Sequence, residues 1–413
     1  LYCPRYDVTA LIEAGENVLA VLTGPGWFDM RWEQRYGAQR LVFSLELRYA
    51  DGSVRTVISS PDTVRVRPGF AVQATLHFGE THDYRGYSDA WMLPGIVSEE
   101  WTAAAALPPL ETDYQTSDCA ADRVIRHIRP VKTGGVWDCG ENITGWPVLV
   151  CRAPAGEEIT VRVSEAVTVA GELDPERCHW QVYRCISDGT PRVLHPRFTW
   201  FGFRYFTVEG KADVADVAVI HMDMPLTASF ACDNETLNWL YDAYVRTQLD
   251  NMHMGLASDC PHLERRGYTG DGELTCDAVM TMFDACAFYR KWIGDISDCQ
   301  DRLSGHVQYT APYVESGGGP GGWGCAIVEV PYTYWKHTGD DAPLRALYPQ
   351  MLRYFDYLDA HSEEGLVTSD RPGQWCLGDW CTPEEIAIPE PYVNTYFYIR
   401  SILRVLEIAP IVG

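Results

Sequence analysis

Near residue 222 the hydrophobic pattern of this 413-residue chain changes period, and the change decides what each part can fold into. Upstream, Gly, Pro, Asp and Asn interrupt the sequence every eight to twelve residues, leaving short β-branched and aromatic runs: "VLAVLTG", "LVFSLELRYADGSVRTVISS", "EEITVRVSEAVTV" and "FRYFTVEG". Runs of that length and spacing predict sandwiches of strands rather than parallel α/β units. Asp51-Gly52, set between two alternating runs, predicts a hairpin, since both residues accept the positive φ of a tight turn. Downstream, from Asp233 as the expected N-cap, Leu237, Leu240, Tyr241, Tyr244 and Val245 recur at helical spacing. More helices are predicted at about 273–293, 325–338, 342–361 and 392–410, with Gly/Pro-rich loops between. A single core rarely grows past roughly 250 residues. The pattern therefore predicts a multidomain chain: two β-sandwich domains, 1–104 and 114–224, divided by the Ala/Pro-rich stretch 101–113, then an all-α domain at 227–413.

The charge narrows the partners. With 57 acidic against 33 basic residues the chain carries −24, and no Lys/Arg run offsets this locally, which excludes phosphate backbones and anionic lipid as partners. The 14 cysteines are scattered singly without zinc-type spacing; Cys376 and Cys381 come closest to a pair. Most are expected to be reduced thiols acting as small core residues. No metal or cofactor motif is present: "GGGPGG" at 317–322 lacks the Lys-Ser/Thr of a phosphate cradle and reads as a flexible loop, and "TGDGELTCD" supplies too few oxygen ligands for calcium. His-Glu-x-x-His and Gly-x-Ser-x-Gly are absent.

One inter-helix loop concentrates ionisable groups. "SDCPHLERRGYTGDGE", residues 258–273, holds Asp259, Glu264, Asp271 and Glu273 with Arg265, Arg266 and Tyr268. Cleaving a glycoside requires one carboxyl kept protonated for the leaving oxygen and another ionised to activate water or attack. Crowded carboxylates raise one another's pKa and an arginine lowers it, so such a cluster can set opposite protonation states. Composition alone favours a solvated acidic loop instead.

The order of residues adds to composition. "SDCPHLERRGYTGDGELTCDAVMTMFD" resembles the signature of bacterial α-L-rhamnosidases of glycoside hydrolase family 78. "YDVTALIEAGENVLAVLTGPGWF" and "FGETHDYR" look like that family's N-terminal β-sandwich; "VWDCGENITGWPVLVCRAPAGEEITVRVSEAV" and "HPRFTWFGFRYFTVEG" like its second β domain; "GGWGCAIVEVPYTYWKHTGD" and "GQWCLGDW" like its helical barrel. The resemblance implies an (α/α)6-barrel catalytic domain and an inverting exo-glycosidase removing terminal α-L-rhamnose. Glu264 would be the general acid, Asp259 and Asp271 would bind sugar hydroxyls and raise the acid's pKa, and Tyr268 would contact the ring. Arg265 would orient acid or sugar, with a surface salt bridge an equal alternative. Trp323, Asp379 and Trp380 match barrel motifs, aromatic faces suiting the apolar face of a deoxy sugar; Trp375 stands between function and core packing. Cys325 and Leu263 depart from the family pattern, and Glu273 reads as a first-turn acid favoured by the helix dipole.

Inversion needs a second carboxylate across the cleft, roughly 6.5–9.5 Å from the acid, and the resemblance puts it far downstream. Residues 227–413 fall short of the roughly 300 that twelve helices with their loops occupy. The chain is thus expected to be a fragment without that base; Leu1 in place of a start Met agrees, and Glu384, Glu385 and Glu390 are not assigned as base. Two alternatives remain: a carbohydrate-binding protein that holds glycans without cleaving them, and another glycosidase on the same helical barrel.

Overall fold

The computed structural model describes residues 1–28, 36–37, 39–95, 100–178, 180–312, 317–374, 376–380, 382–383 and 385–413. Trp375, Cys381 and Glu384 of the sequence expectations fall outside the described residues.

Leu1–Thr116 and His127–Ala218 form one compact unit. The predicted hairpin is β1 (Ser44–Arg48) and β2 (Val54–Ile58), with Ser44 opposite Ile58 and Arg48 opposite Val54. Gly52 turns it at φ +85°, and Asp51 Oδ1 accepts from the Ser53 N–H at 2.8 Å. "VLAVLTG" forms no strand, and Val18, Leu19 and Val21 stay exposed. A β-prone run becomes a strand only when a neighbour pairs with it.

The large sheet takes β3 (Ala71–Thr75), β4 (Gly79–Asp83), β5 (Asp122–Ile128), β6 (Val136–Cys151), β7 (Glu158–Ser164), β8 (Val182–Ile186), β9 (Phe201–Glu209) and β10 (Ala212–Met222). Their order is β3-β4-β8-β7-β9-β6-β10-β5, with two short strands paired to β6. β8 runs parallel to β4 and antiparallel to β7. The stretch 101–113 therefore does not divide two sheets as expected: β3 and β4 precede it in sequence, yet they complete the sheet that lies after it. Along β7, Ile159, Val161 and Val163 are buried on one face; on the other, Thr160 and Ser164 are buried and Glu158 and Arg162 are exposed. On the inner face the buried Glu80 accepts the N–H groups of Arg197 at 2.9 Å and Phe198 at 2.6 Å and meets His82 Nε2 at 2.7 Å. Such a polar group can be buried because its lone pairs are used.

Ser117–Arg126 and Val219–Gly413 form the second unit. Helix α1 (Glu235–Asp250) is capped by Asn234 and not by Asp233: Asn234 Oδ1 accepts from Thr236 N at 3.0 Å and Leu237 N at 3.2 Å, the reach an N-cap side chain needs. The helix expected at 273–293 is two, α2 (Thr269–Met282) and α3 (Cys286–Asp298), separated where Phe283 turns extended and bridges Leu226. Then come α4 (Gly321–Gly324), α5 (Ala326–Thr338), α6 (Ala342–Ala360) and α7 (Glu390–Val412), close to the remaining predictions. α5 contacts α2, α3, α6 and α7, and every residue from Ala326 to Tyr332 is buried, as a helix surrounded on all sides requires. Val279, Phe288, Trp292, Ile327, Met351 and Tyr354 fill this core. Among the described residues no helix is long and apolar enough to cross a membrane.

The 13 described cysteines are all free thiols. Burial pushes Cys119 up to about 11 and Cys139, Cys185, Cys260 and Cys376 up to about 12.

Candidate active site

The acidic loop is anchored at its start. After α1, Met252–His253 pairs antiparallel with Leu256–Ala257. Asp122 holds the turn between them, its Oδ2 at 3.1 Å from His253 Nδ1 and its Oδ1 accepting from Met254 N at 2.9 Å. From there the chain closes on itself: Asp259 N donates to Arg266 O at 3.2 Å, and Asp259 Oδ1 accepts from Arg266 N at 3.1 Å. Inside that ring the Cys260 thiol donates to Asp259 Oδ2 at 2.9 Å, while its sulfur accepts from Glu264 N at 3.4 Å. Cys260 thus links the backbone of Glu264 to the carboxylate of Asp259.

Arg265 turns the loop at φ +56°, a conformation uncommon outside glycine, and its side chain is 1% exposed. Burial lowers its guanidinium to about 9. The expected surface salt bridge is excluded by that burial.

The far end of the loop is held by a neighbouring segment. Tyr268 bridges Thr310, Thr269 N donates to Tyr309 O at 2.8 Å, and Ala311 N donates to Gly267 O at 2.8 Å. The rings of Tyr268 and Tyr309 stack at 5.7 Å and 20°. The Tyr268 hydroxyl donates to Glu264 Oε2. Burial, and then Glu264, raise the phenol above its ordinary value, which keeps it a donor.

α2 starts at Thr269, earlier than expected, so Asp271 is the acid in its first turn. The Asp271 side chain is reachable by solvent, yet the protein packed around it pushes its carboxyl up to about 6, with Asp259 and Glu264 adding to the effect. Asp259 is raised as well, by burial first and then by Glu264. Trp323 lies against this turn: a Cβ on Gly270 would come within 2.9 Å of its indole. "TGDG" thus reads as a flat surface for a tryptophan, with a carboxylate beside it.

The second and third expected loops pack on each other. "GGGPGG" is buried, not flexible: Tyr354 Oη donates to Gly319 O at 2.7 Å, His306 Nε2 lies 2.9 Å from Gly318 O, and a Cβ on Gly318 would meet Tyr309 N at 2.4 Å. Its far end touches the loop that carries Asp379 and Trp380, since a Cβ on Gly321 would lie 2.9 Å from Leu377 O. Trp380 is 49% exposed, and its N–H donates to Asp379 Oδ1 at 3.0 Å.

Glu273 is not the first-turn acid of its helix, which starts at Thr269. It is buried and ion-paired with Arg400 of α7, which also holds Glu329 of α5 at 3.0 Å; Arg404 approaches Glu329 at 3.5 Å. Burial pushes Glu273 up to about 7 and raises Glu329, outweighing the nearby guanidinium groups. Cys325, one of the two departures from the family pattern, is buried beside this cluster. Cys260, Tyr309 and the Glu273–Arg400–Glu329 cluster received no role from sequence reasoning. Cys260 was visible inside the motif, but nothing in the sequence signals that its thiol turns toward Asp259.

A helical domain preceded by β-rich domains, with an acidic loop between its first helices, is the architecture of the six-hairpin glycosidase class. Three family models match in this order: the bacterial α-L-rhamnosidase N-terminal domain over residues 1–126, the concanavalin-like domain over 129–224, and the six-hairpin glycosidase domain over 225–413. The chain belongs to the bacterial α-L-rhamnosidase family. It is 30% identical over 404 residues to an α-L-rhamnosidase of Streptomyces avermitilis, covering 92% of this chain and 39% of that one. Among solved structures it resembles the α-L-rhamnosidase of Dictyoglumus thermophilum (TM-score 0.83, 26% identity, 90% and 43% of the two chains). It also resembles the Streptomyces avermitilis α-L-rhamnosidase complexed with L-rhamnose (TM-score 0.78, 27% identity, 90% and 37%). The chain spans less than half the length of the curated relatives it matches.

Proposed function

We propose that the protein acts in hydrolysing terminal, non-reducing α-L-rhamnose from glycans or rhamnosides with inversion, and that its helical unit contributes to an (α/α)6 barrel. One observation carries the reading: Asp259, Glu264 and Asp271 share one pinned loop and the helix after it, close enough for Asp259 and Glu264 both to raise the proton affinity of Asp271. The relative complexed with L-rhamnose supports the choice of sugar.

In this reading Glu264 donates its proton to the glycosidic oxygen. The Tyr268 hydroxyl donates to Oε2 and holds the carboxyl in place. Asp259 and Asp271 accept hydrogen bonds from sugar hydroxyls, and Trp323 and Trp380 pack on the apolar face and methyl group, with Asp379 as a further acceptor. Arg265, buried under the loop, orients Glu264 without touching the sugar. No carboxylate of this chain is proposed as the base.

A second assignment of roles has one observation in its favour. Asp271, at about 6, has the proton affinity suited to an acid working near neutral pH. Leaving-group chemistry separates the two, because an activated aryl rhamnoside departs without protonation and a poor leaving group does not. Assayed in a form of the protein that also supplies the base, Glu264→Gln is expected to lower turnover about 10²–10⁴-fold on the poor leaving group and far less on the activated one. That pattern from Asp271→Asn, with Glu264→Gln spared, would transfer the role to Asp271. A Glu264→Gln rate within a few fold on both substrates would refute the acid assignment. L-rhamnose binding is measured in parallel on that same base-supplying form, where binding without turnover points to the non-cleaving alternative.

A further inference from the structure

The β unit contains a pocket of about 280 Å³ on the outer face of its sheet, remote in sequence from the acidic loop. Strand register builds its floor. Gln73 of β3, Thr81 of β4 and Arg184 of β8 lie abreast, and in the next row Gly79, Val182 and Arg162 do the same. Successive residues of a strand alternate faces, so both rows present their side chains on one side of the sheet. Phe78 and Trp180, just before Gly79 and Val182 in their strands, form the wall at one end. Their rings meet edge to face at 6.2 Å and 78°.

Trp180 is 71% exposed and, with the exposed Phe78 beside it, forms a small aromatic patch. It is also held there at φ +60°, a region a bulky residue rarely adopts. A buried amide maintains that conformation: Gln181 Oε1 accepts from Gly202 N at 2.9 Å, Gln181 Nε2 donates to Gly202 O at 3.2 Å, and Gln181 N donates to Cys178 O at 3.1 Å. Phe78 is tied to the same turn, its carbonyl accepting from Val182 N at 3.0 Å. Backbone strain of this kind persists where the surroundings enforce it, and it clusters at ligand clamps.

The polar part of the pocket carries two arginines, Arg162 and Arg184, each beside a glutamate. Arg162 approaches Glu209 at 3.5 Å and Arg184 approaches Glu158 at 3.7 Å, all four side chains being substantially exposed. Both distances exceed the 2.7–2.9 Å of a firm charge-assisted bond. Such loose surface pairs contribute little and exchange readily for a ligand carboxylate. An aromatic wall for the C–H face of a ring, Gln73 and Thr81 for hydroxyls, and two guanidinium groups for a carboxylate describe one ligand chemistry.

We propose that this pocket binds a uronate-bearing oligosaccharide, one or two rings of which stack on Trp180 and Phe78 while Arg162 and Arg184 hold the carboxylate. The volume sits near the lower end of the roughly 300–1,000 Å³ typical of small-molecule sites, which fits a short segment of a longer glycan. The proposal is independent of the rhamnosidase reading, because it is tested by binding alone.

Isothermal titration of the 413-residue protein with oligogalacturonides of two to four rings, and with cello-oligosaccharides of equal length, provides the test. The acidic series is expected to bind and the neutral series to bind more weakly. Trp180→Ala is expected to weaken acidic binding at least about ten-fold and Trp180→Phe to retain most of it. Arg184→Ala, an exposed change that does not threaten folding, is expected to remove the preference for acid over neutral. Equal affinity in wild type and Trp180→Ala, or no binding of either series, overturns the proposal. So does self-association of the wild type that Trp180→Ala abolishes, since the wall would then be a protein interface.

Discussion

Two residues apart on α2, Asp271 and Glu273 face nearly opposite directions, as the roughly 200° between them on a helix requires. The outer face gives Asp271 a path to solvent and the Trp323 indole on the adjacent Gly270. The inner face gives Glu273 no solvent and two partners on other helices, Arg400 directly and Glu329 through it. Burial raises both carboxyls, to about 6 and about 7, and the larger value belongs to the structural one. A raised pKa therefore does not by itself identify a catalytic acid. Access to a ligand separates the two cases.

If the faces differ in this way, inner-face changes should alter stability and outer-face changes should alter binding. The largest effect is expected from Arg400→Met, which leaves two buried carboxyls without their shared cation. Urea unfolding should report a loss of about 3–5 kcal/mol, with the L-rhamnose affinity of the folded protein unchanged. A loss under about 1 kcal/mol would mean that the cluster is not what joins α2 to α7. Next comes the pH dependence of the same cluster. Glu273, raised above its ordinary 4.5, contributes stability that is present below that value and disappears as pH rises through about 7. Acidifying from about pH 7.5 to 5 should therefore raise the melting temperature, with up to about 3 kcal/mol assignable to this group. Glu273→Gln should flatten the profile; an unchanged slope would assign it to other carboxyls.

Asp271→Asn addresses the outer face. Calorimetry should find L-rhamnose bound ten- to hundred-fold more weakly, the usual loss for a hydrogen bond to a charged group, and a melting temperature within a degree or two of wild type. A large stability loss with intact binding would exchange the roles of the two faces. The smallest effect is expected from Cys260→Ser, which keeps a donor to Asp259 but shortens its reach. A change of about 1 kcal/mol or less in either readout fits a thiol that orients the loop, and a hundred-fold loss of turnover would assign Cys260 a direct part in the chemistry.

The change of period at 222, the Asp51-Gly52 hairpin and most helices were legible because each is written in local spacing. Partners were not. "VLAVLTG" carries every mark of a strand and remains unpaired, while β3 and β4 crossed an apparent linker to join a sheet built mainly from later residues. In the acidic loop, the motif singled out Asp259, Glu264, Tyr268 and Asp271, whose roles stand as the proposal made above; the hydrogen bond from Tyr268 to Glu264 was not legible in it. Which acid would be buried depended on α7, more than a hundred residues downstream, so Glu273 read only as a helix-start acid until Arg400 came into view. The glycine run at 317–322 misled for a related reason: glycine marks both loose backbone and backbone with no room for a Cβ, and only the neighbouring Tyr309 and Leu377 distinguish them.

The free cysteines make parts of the molecule addressable. With thiols at about 11 to 12, Cys119, Cys139, Cys185, Cys260 and Cys376 hold on the order of one thiolate in ten thousand or fewer at neutral pH, and only thiolates attack maleimides quickly. Cys232 is the exposed cysteine among the described residues and lies just before the cap of α1. A fluorophore offered briefly to the native protein is expected to favour Cys232 over those five, marking the start of the helical unit without an engineered handle.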